Sequence, residues 1–382
     1  MFLTKRRQFL GLSALLLLPS AMLEAGTRSA VPVLLSAASD ADDKHWLIGF
    51  SLQQQSAQIL YKQALPTRGH HVAVSQRHGI YVAIARRPGT WLVCGDLHTG
   101  AVHDELTVPQ DRHLFGHGIF SADENFFYTT ESNFSDMTGD NGLLVEWKVV
   151  NHQGLATLER QREFPTQGIG PHELLLMPDG KTLAIANGGM RTHPDSEREV
   201  LNADTMLPSL VYMDPQSGQI LEQQFLPEQF HQASIRHMDV NAAGLIVMGL
   251  QFQGEPFADV PLLASHVRGA VLQLLAAPAD IQPRMKQYVG SVRFSGNGQY
   301  FAASCPRGNL LTFWDSNSGE LIKTLSSRDG CGLNASTQGF VFSSGTGRLA
   351  EINLETAELN EYDLPEQAQV FWDNHLSMAG VV

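Results

Sequence analysis

Short apolar runs recur along this chain, each ending in a turn that bears Gly or Asp, and in most copies a histidine stands just ahead of the run. The copies read Gly69-His70-His71-Val72-Ala73-Val74-Ser75, Gly116-His117-Gly118-Ile119-Phe120-Ser121, Pro171-His172-Glu173-Leu174-Leu175-Leu176 and Arg236-His237-Met238-Asp239-Val240-Asn241. Two later copies carry other residues at the equivalent place, in Gly290-Ser291-Val292-Arg293-Phe294-Ser295 and Gly330-Cys331-Gly332-Leu333. A partial copy, Trp372-Asp373-Asn374-His375-Leu376-Ser377, comes last. Spacings of roughly 40 to 65 residues mark an array in which each unit is one supersecondary element.

A second pattern follows each of these. It reads Trp91-Leu92-Val93-Cys94-Gly95-Asp96-Leu97-His98-Thr99-Gly100, then Leu210-Val211-Tyr212-Met213-Asp214-Pro215-Gln216-Ser217-Gly218, then Leu311-Thr312-Phe313-Trp314-Asp315-Ser316-Asn317-Ser318-Gly319. Leu349-Ala350-Glu351-Ile352-Asn353-Leu354-Glu355-Thr356 is a weaker copy. Asp or Asn ends a strand, its side-chain oxygen caps the amides of the turn, and Gly supplies the positive φ that re-enters the next strand. Each unit is thus an inner and an outer hairpin, and seven such units predict an all-β, seven-bladed β-propeller of four-stranded blades over residues 31–382, with almost no helix. The segments Val31 to Ala37, Trp46 to Ser51 and Gln58 to Tyr61 supply three strands without an inner partner. His375 to Met378 supplies that partner, so a C-terminal strand is expected to close the ring.

With strands lettered A to D from the channel outward, the D-to-A and B-to-C connections share one face. The histidines begin strand A and are expected to ring the channel mouth there. His71, His117, His172, His237, Cys331 and His375 are the candidate metal ligands, because imidazole suits iron or copper and a thiolate the softer ions. A structural role, bonding the backbone of neighbouring blades, is the competing reading. Strand alternation predicts that His172 and Glu173 point to opposite sides. The ends of strand B and the connections beyond bring Arg86, Glu131, Asn187, Arg191, His193, Asp195, Arg236, Gln251 and Arg307 to the same face as candidate ligand-binding residues. Arginines there suit a carboxylate or phosphate. The connection from Gly188 to Leu207 is the longest of its kind, and a loop of this length within compact repeats predicts a lid over the mouth.

A net charge of −13 excludes nucleic acid and anionic membrane as partners, since both need a basic surface. Residues 1–30 read as an export signal: Arg6-Arg7 precede Phe9-Leu10 and a short apolar run ending near Pro19-Ser20-Ala21, the pattern of the twin-arginine route. That predicts a periplasmic protein with no integral membrane segment after export. Three cysteines leave at least one unpaired. No nucleophile elbow, phosphate loop or zinc-protease helix is present.

Several segments together resemble one family. They are Gly168-Ile169-Gly170-Pro171-His172-Glu173, Ala186-Asn187-Gly188-Gly189, Thr192-His193-Pro194-Asp195, Leu201-Asn202, Pro208-Ser209-Leu210, Ser304-Cys305-Pro306-Arg307-Gly308 and Asp329-Gly330-Cys331-Gly332. The family is an uncharacterised group of twin-arginine-exported bacterial seven-bladed propellers. The resemblance implies genes set beside imelysin-type proteins and a dihaem oxidoreductase-like protein, in loci tied to iron supply. It implies a context and no mechanism. The expected function is therefore binding of a metal, ligand or protein partner at the channel mouth within an iron-acquisition system. The alternative is a metal-dependent redox or hydrolytic enzyme using the same face.

Overall fold

The computed structural model describes residues 32–379, apart from 136, 197, 198, 337, 366 and 367. The export signal expected over residues 1–30 lies outside them. Seven antiparallel sheets form, six of them ordered so that sequence-adjacent strands pair and one joining the two ends of the chain, and this is the expected seven-bladed propeller. Blades 1 to 6 begin with the inner strands Gly69–Ser75, Arg112–Phe120, Pro171–Leu176, Ala233–Val240, Ser291–Phe294 and Gly330–Ser336. Helix is confined, among the described residues, to short 3-10 turns. Apolar clusters fill the space between successive sheets, with Tyr81, Phe127, Tyr212 and Trp314 buried outright.

The outer hairpins form as their turn residues dictate. The Asp96 carboxylate accepts from the amides of His98 and Thr99, that of Asp315 from Asn317 and Ser318, and Asn353 accepts from Glu355 and Thr356. Gly100, Gly218 and Gly319 take φ of +74°, +73° and +69° at the matching place, a region that favours residues without Cβ. In the blade 6 copy that place is held by Ala357, at φ +61°.

Blade 7 closes the ring. Strands Val33–Ser39, His45–Gln53 and Ser56–Ala64 are its outer three, and the C-terminal segment supplies the inner one in two pieces, Phe371–Trp372 and Ser377–Ala379. His375 was expected inside a continuous strand. It lies instead in the break between the pieces, where Ser36 Oγ donates to its carbonyl at 2.8 Å.

That break is the extreme form of a feature shared by the inner strands. Registers skip between Gly69 and Val72, Leu114 and Gly118, Pro171 and Leu174, Ile235 and His237, and Gly330 and Leu333. Each skip is a β-bulge, which leaves residues unpaired and re-aims their side chains. Blade 5, which carries Ser291 at this place, pairs without a skip. The histidine positions therefore coincide with the bulges.

Candidate metal centre

The bulges direct six imidazoles to the axis. His70, His71, His117, His172, His237 and His375 are all buried, and their ring centroids approach to between 4.5 and 6.3 Å. They were expected around the channel mouth but form a plug across the channel itself. His70, His172 and His237 reach the cavity on the predicted face, and His71 reaches a cavity on the opposite face. Gly116 makes the approach possible. It sits at φ +98°, and a Cβ there would stand 2.5 Å from His70 Cδ2.

His172 and Glu173 do not point to opposite sides. Two residues of the blade 3 bulge face one position of the next strand, so alternation is suspended and both side chains reach the axis. Glu173 Oε1 lies 3.7 Å from His117 Nδ1 and Oε2 lies 3.3 Å from His237 Nδ1, while Oε2 also accepts from the Met238 amide at 2.9 Å. Asp373 Oδ1 is 3.0 Å from His70 Nδ1, and its other oxygen accepts from Arg68. Burial opposes ionisation of Asp373, but Arg86, His70 and Arg68 outweigh it and hold the carboxyl far below its usual range. Burial likewise opposes ionisation of Glu173, and His237 more than compensates.

The imidazoles are neutral at physiological pH. Desolvation pushes His70 down to about 3 and His71 down to about 4. His117, His172 and His375 fall well below 6.5, through burial first and then through neighbouring histidines and arginines. A carboxylate beside Nδ1 keeps the proton there and leaves Nε2 as the free lone pair, as in the carboxylate–histidine pairs around bound metals. Five of the rings nevertheless hold buried nitrogens without a hydrogen-bond partner: His71 Nδ1, His117 Nδ1 and Nε2, His172 Nδ1, His237 Nδ1 and His375 Nε2.

Two triads are compact enough to share an ion, His70/His117/His172 and His117/His237/His375, each offering ligand atoms within 4.8 Å of one another. An ion about 2.1 Å from each nitrogen separates them by about 3.4 Å at a tetrahedral angle, and by about 3.0 Å for adjacent and about 4.2 Å for opposite ligands of an octahedron.

Cys331 does not join. Its thiol turns onto the carbonyl oxygens of Asp373 and Trp372, at 3.2 and 3.6 Å, and burial pushes it up to about 12. All three cysteines are free and buried.

Of the candidate ligand-binding residues, Arg86, Arg236, Gln251 and Arg307 line a cavity of about 390 Å³ above the histidines. Five do not. Glu131 is fully buried inside blade 2, held by both terminal nitrogens of Arg160 at 2.8 and 2.9 Å. Asn187 donates to Thr166 O and Ser209 Oγ. Arg191 donates to Gly139 O, and His193 packs edge-on against Phe134 beside the exposed Asp195. The long connection thus packs on neighbouring blades instead of forming a lid. Asn202 braces it by accepting from the Arg191 amide and donating to Gly189 O, and among its described residues only Met190 lines the cavity. Sequence reasoning missed His70, Arg68 and Asp373. The doubled histidine and the repeat-equivalent Asp ahead of His375 were the available signals.

Residues 63–379 match the family model described as protein of unknown function, DUF1513. No curated protein matches the sequence. Among solved structures, a candidate 6-phosphogluconolactonase from Bacteroides fragilis NCTC 9343 aligns at 10% identity over 92% of this chain and 99% of that one, with a TM-score of 0.62. Kuenenia stuttgartiensis hydrazine synthase aligns at 13% identity over 85% and 94%, with a TM-score of 0.56. At such identities the likeness is one of fold alone.

Proposed function

The chain belongs to the DUF1513 family, whose description assigns no activity, so its role is read from the site, and we propose that it binds a transition-metal ion in the axial histidine cluster. The carrying observation is that members of the two triads, His117 at Nε2, His172 at Nδ1 and His375 at Nε2, hold buried imidazole nitrogens without a hydrogen-bond partner. Leaving such a group unsatisfied costs roughly 1–3 kcal/mol, and one ion satisfies several at once. The donors are neutral nitrogens, which suit iron, copper, nickel or zinc and not calcium or magnesium, whose ligands are oxygens. Of these, iron or copper is the proposed cargo. Asp373 and Glu173 orient His70 and His237 from behind, and cavities on both faces give access.

Location and context belong to the same proposal. Arg6-Arg7 support periplasmic residence through twin-arginine export, and the resemblance supports a place in an iron-acquisition system beside imelysin-type or dihaem oxidoreductase-like proteins.

Elemental analysis of protein isolated from the periplasm, with calorimetric titration of the metal-free form by iron and copper, tests the reading. Near-stoichiometric metal is expected, lost in a His117→Ala/His237→Ala variant. Glu173→Gln is expected to lower affinity by about 10–100-fold, the usual cost of removing a residue that orients a ligand. Protein that takes up no ion, or a double variant that binds like wild type, overturns it.

A further inference from the structure

The axial histidines meet the two faces of the propeller unequally. His70, His172 and His237 line the cavity of about 390 Å³ on one face, and His71 alone of the six lines the cavity of about 380 Å³ on the other. His71 also stands outside both triads. Its ring stacks on that of His117, with centroids 5.4 Å apart and planes inclined by 22°, and it meets His375 edge-on at 5.8 Å. Carboxylates fix three of its neighbours, Asp373 beside His70 and Glu173 beside His117 and His237. The ring that touches the second cavity is thus next to the triads without being part of them.

The triads themselves are linked. Both contain His117, so an ion can pass from His70 and His172 to His237 and His375 while that ring stays bound. Three imidazoles leave one position open on a four-coordinate ion. His71, stacked on the shared ring, is the neighbour that can fill it. Burial holds His71 neutral, down to about 4, so it keeps a lone pair at neutral pH. Beyond it the cavity wall includes Asp239, Asn334 and Met378, whose carboxyl, amide and thioether groups are further donors. Arg293 shares that wall, 3.4 Å from Asp239. A row of adjacent donors lets an ion move by exchanging one bond at a time, without being stripped of all its ligands at once. We infer that His71 is the transfer ligand through which the proposed ion enters and leaves the cluster by the cavity on this face. The inference rests on the metal reading above and deepens it.

Calorimetric titration with copper(II) and iron(II) first fixes stoichiometry and affinity. Stopped-flow loading of metal-free protein with the ion that titrates, and its release into excess chelator, then give the two rates. A transfer ligand lies on the path and not in the resting site, so its loss should slow loading and release alike and leave their ratio, the affinity, in place. His71→Phe is expected to keep the wild-type stoichiometry and affinity while both rates fall by about tenfold or more. His71→Gln, whose amide oxygen can still ligate, should show intermediate rates, and it carries the test if the Phe variant melts well below wild type. Unchanged rates in a folded variant put the route on the other face and overturn the inference. A loss of affinity of about tenfold in the folded variant overturns it too, because His71 is then a resident ligand. Wild-type protein that takes up neither ion fails at the titration, before any rate is read, and overturns the metal reading with it.

Discussion

At the scale of single residues, the axial histidines behave as bases held in their neutral form. Their folded-state pKa values lie below the unfolded value of 6.5, with His70 at about 3 and His71 at about 4, chiefly through burial. The unfolded chain therefore binds more protons between these limits, and stability rises with pH across that window. For metal-free protein the contribution is fully present above pH 6.5 and is lost as pH falls toward 4. The slope is up to about 1.4 kcal/mol per pH unit for each such histidine. Urea unfolding between pH 7.5 and 4.5 measures it, and a stability that stays level from pH 7 to pH 5 contradicts a buried neutral cluster. Metal binding at pH 7 should release almost no protons from these rings, because each is already neutral and offers its unprotonated nitrogen.

Between residues and the whole, the elements are set by turn chemistry and by bulges. Ala357 is the informative exception among the outer hairpins. It holds φ +61° where Gly100, Gly218 and Gly319 stand in sister blades. An L-residue pays a steric cost of about 1–2 kcal/mol there, partly offset by the larger unfolded-state entropy of glycine. Ala357→Gly is thus expected to stabilise the protein by about 0.5–1 kcal/mol in urea unfolding. A destabilised variant would mean that the alanine methyl is held by packing that compensates the strain. The inner strands show the complementary behaviour. Their bulges give up ladder bonds, and carbonyls freed there are tied between blades: Thr130 donates to His172 O and Ser304 to Cys331 O.

For the whole molecule, closure is the decisive contact. The C-terminal segment completes blade 7, buries Trp372 against Phe50 and delivers both Asp373 and His375 to the axis. Deleting residues from Phe371 onward leaves Val33–Ser39 as an exposed edge and strips the cluster of two members. The truncated chain is expected to lose its cooperative thermal transition together with the proposed metal binding, as followed by circular dichroism and elemental analysis. A cooperative melt within a few degrees of wild type would refute closure as the source of stability.

The repeat itself was legible because local rules write it. Asp-capped turns at Asp96, Asp214 and Asp315, with positive-φ glycines behind them, mark hairpins without reference to the rest of the chain. Once the blades were counted, strand direction assigned Arg86, Arg236, Gln251 and Arg307 to one face, and they line one cavity there. The bulges were not legible. A one-residue slip in pairing depends on the partner strand, and it decided that His172 and Glu173 share the axis and that the histidines lie deep in the channel. Nor could one-dimensional spacing show that Glu131 meets Arg160, or that Asp373 meets His70 across a separation of 303 positions. The sequence by itself determined the periodic skeleton, because turn and strand preferences act over a few residues. Only the tertiary structure decided which polar groups converge, because ring closure brings the two ends of the chain to one axis.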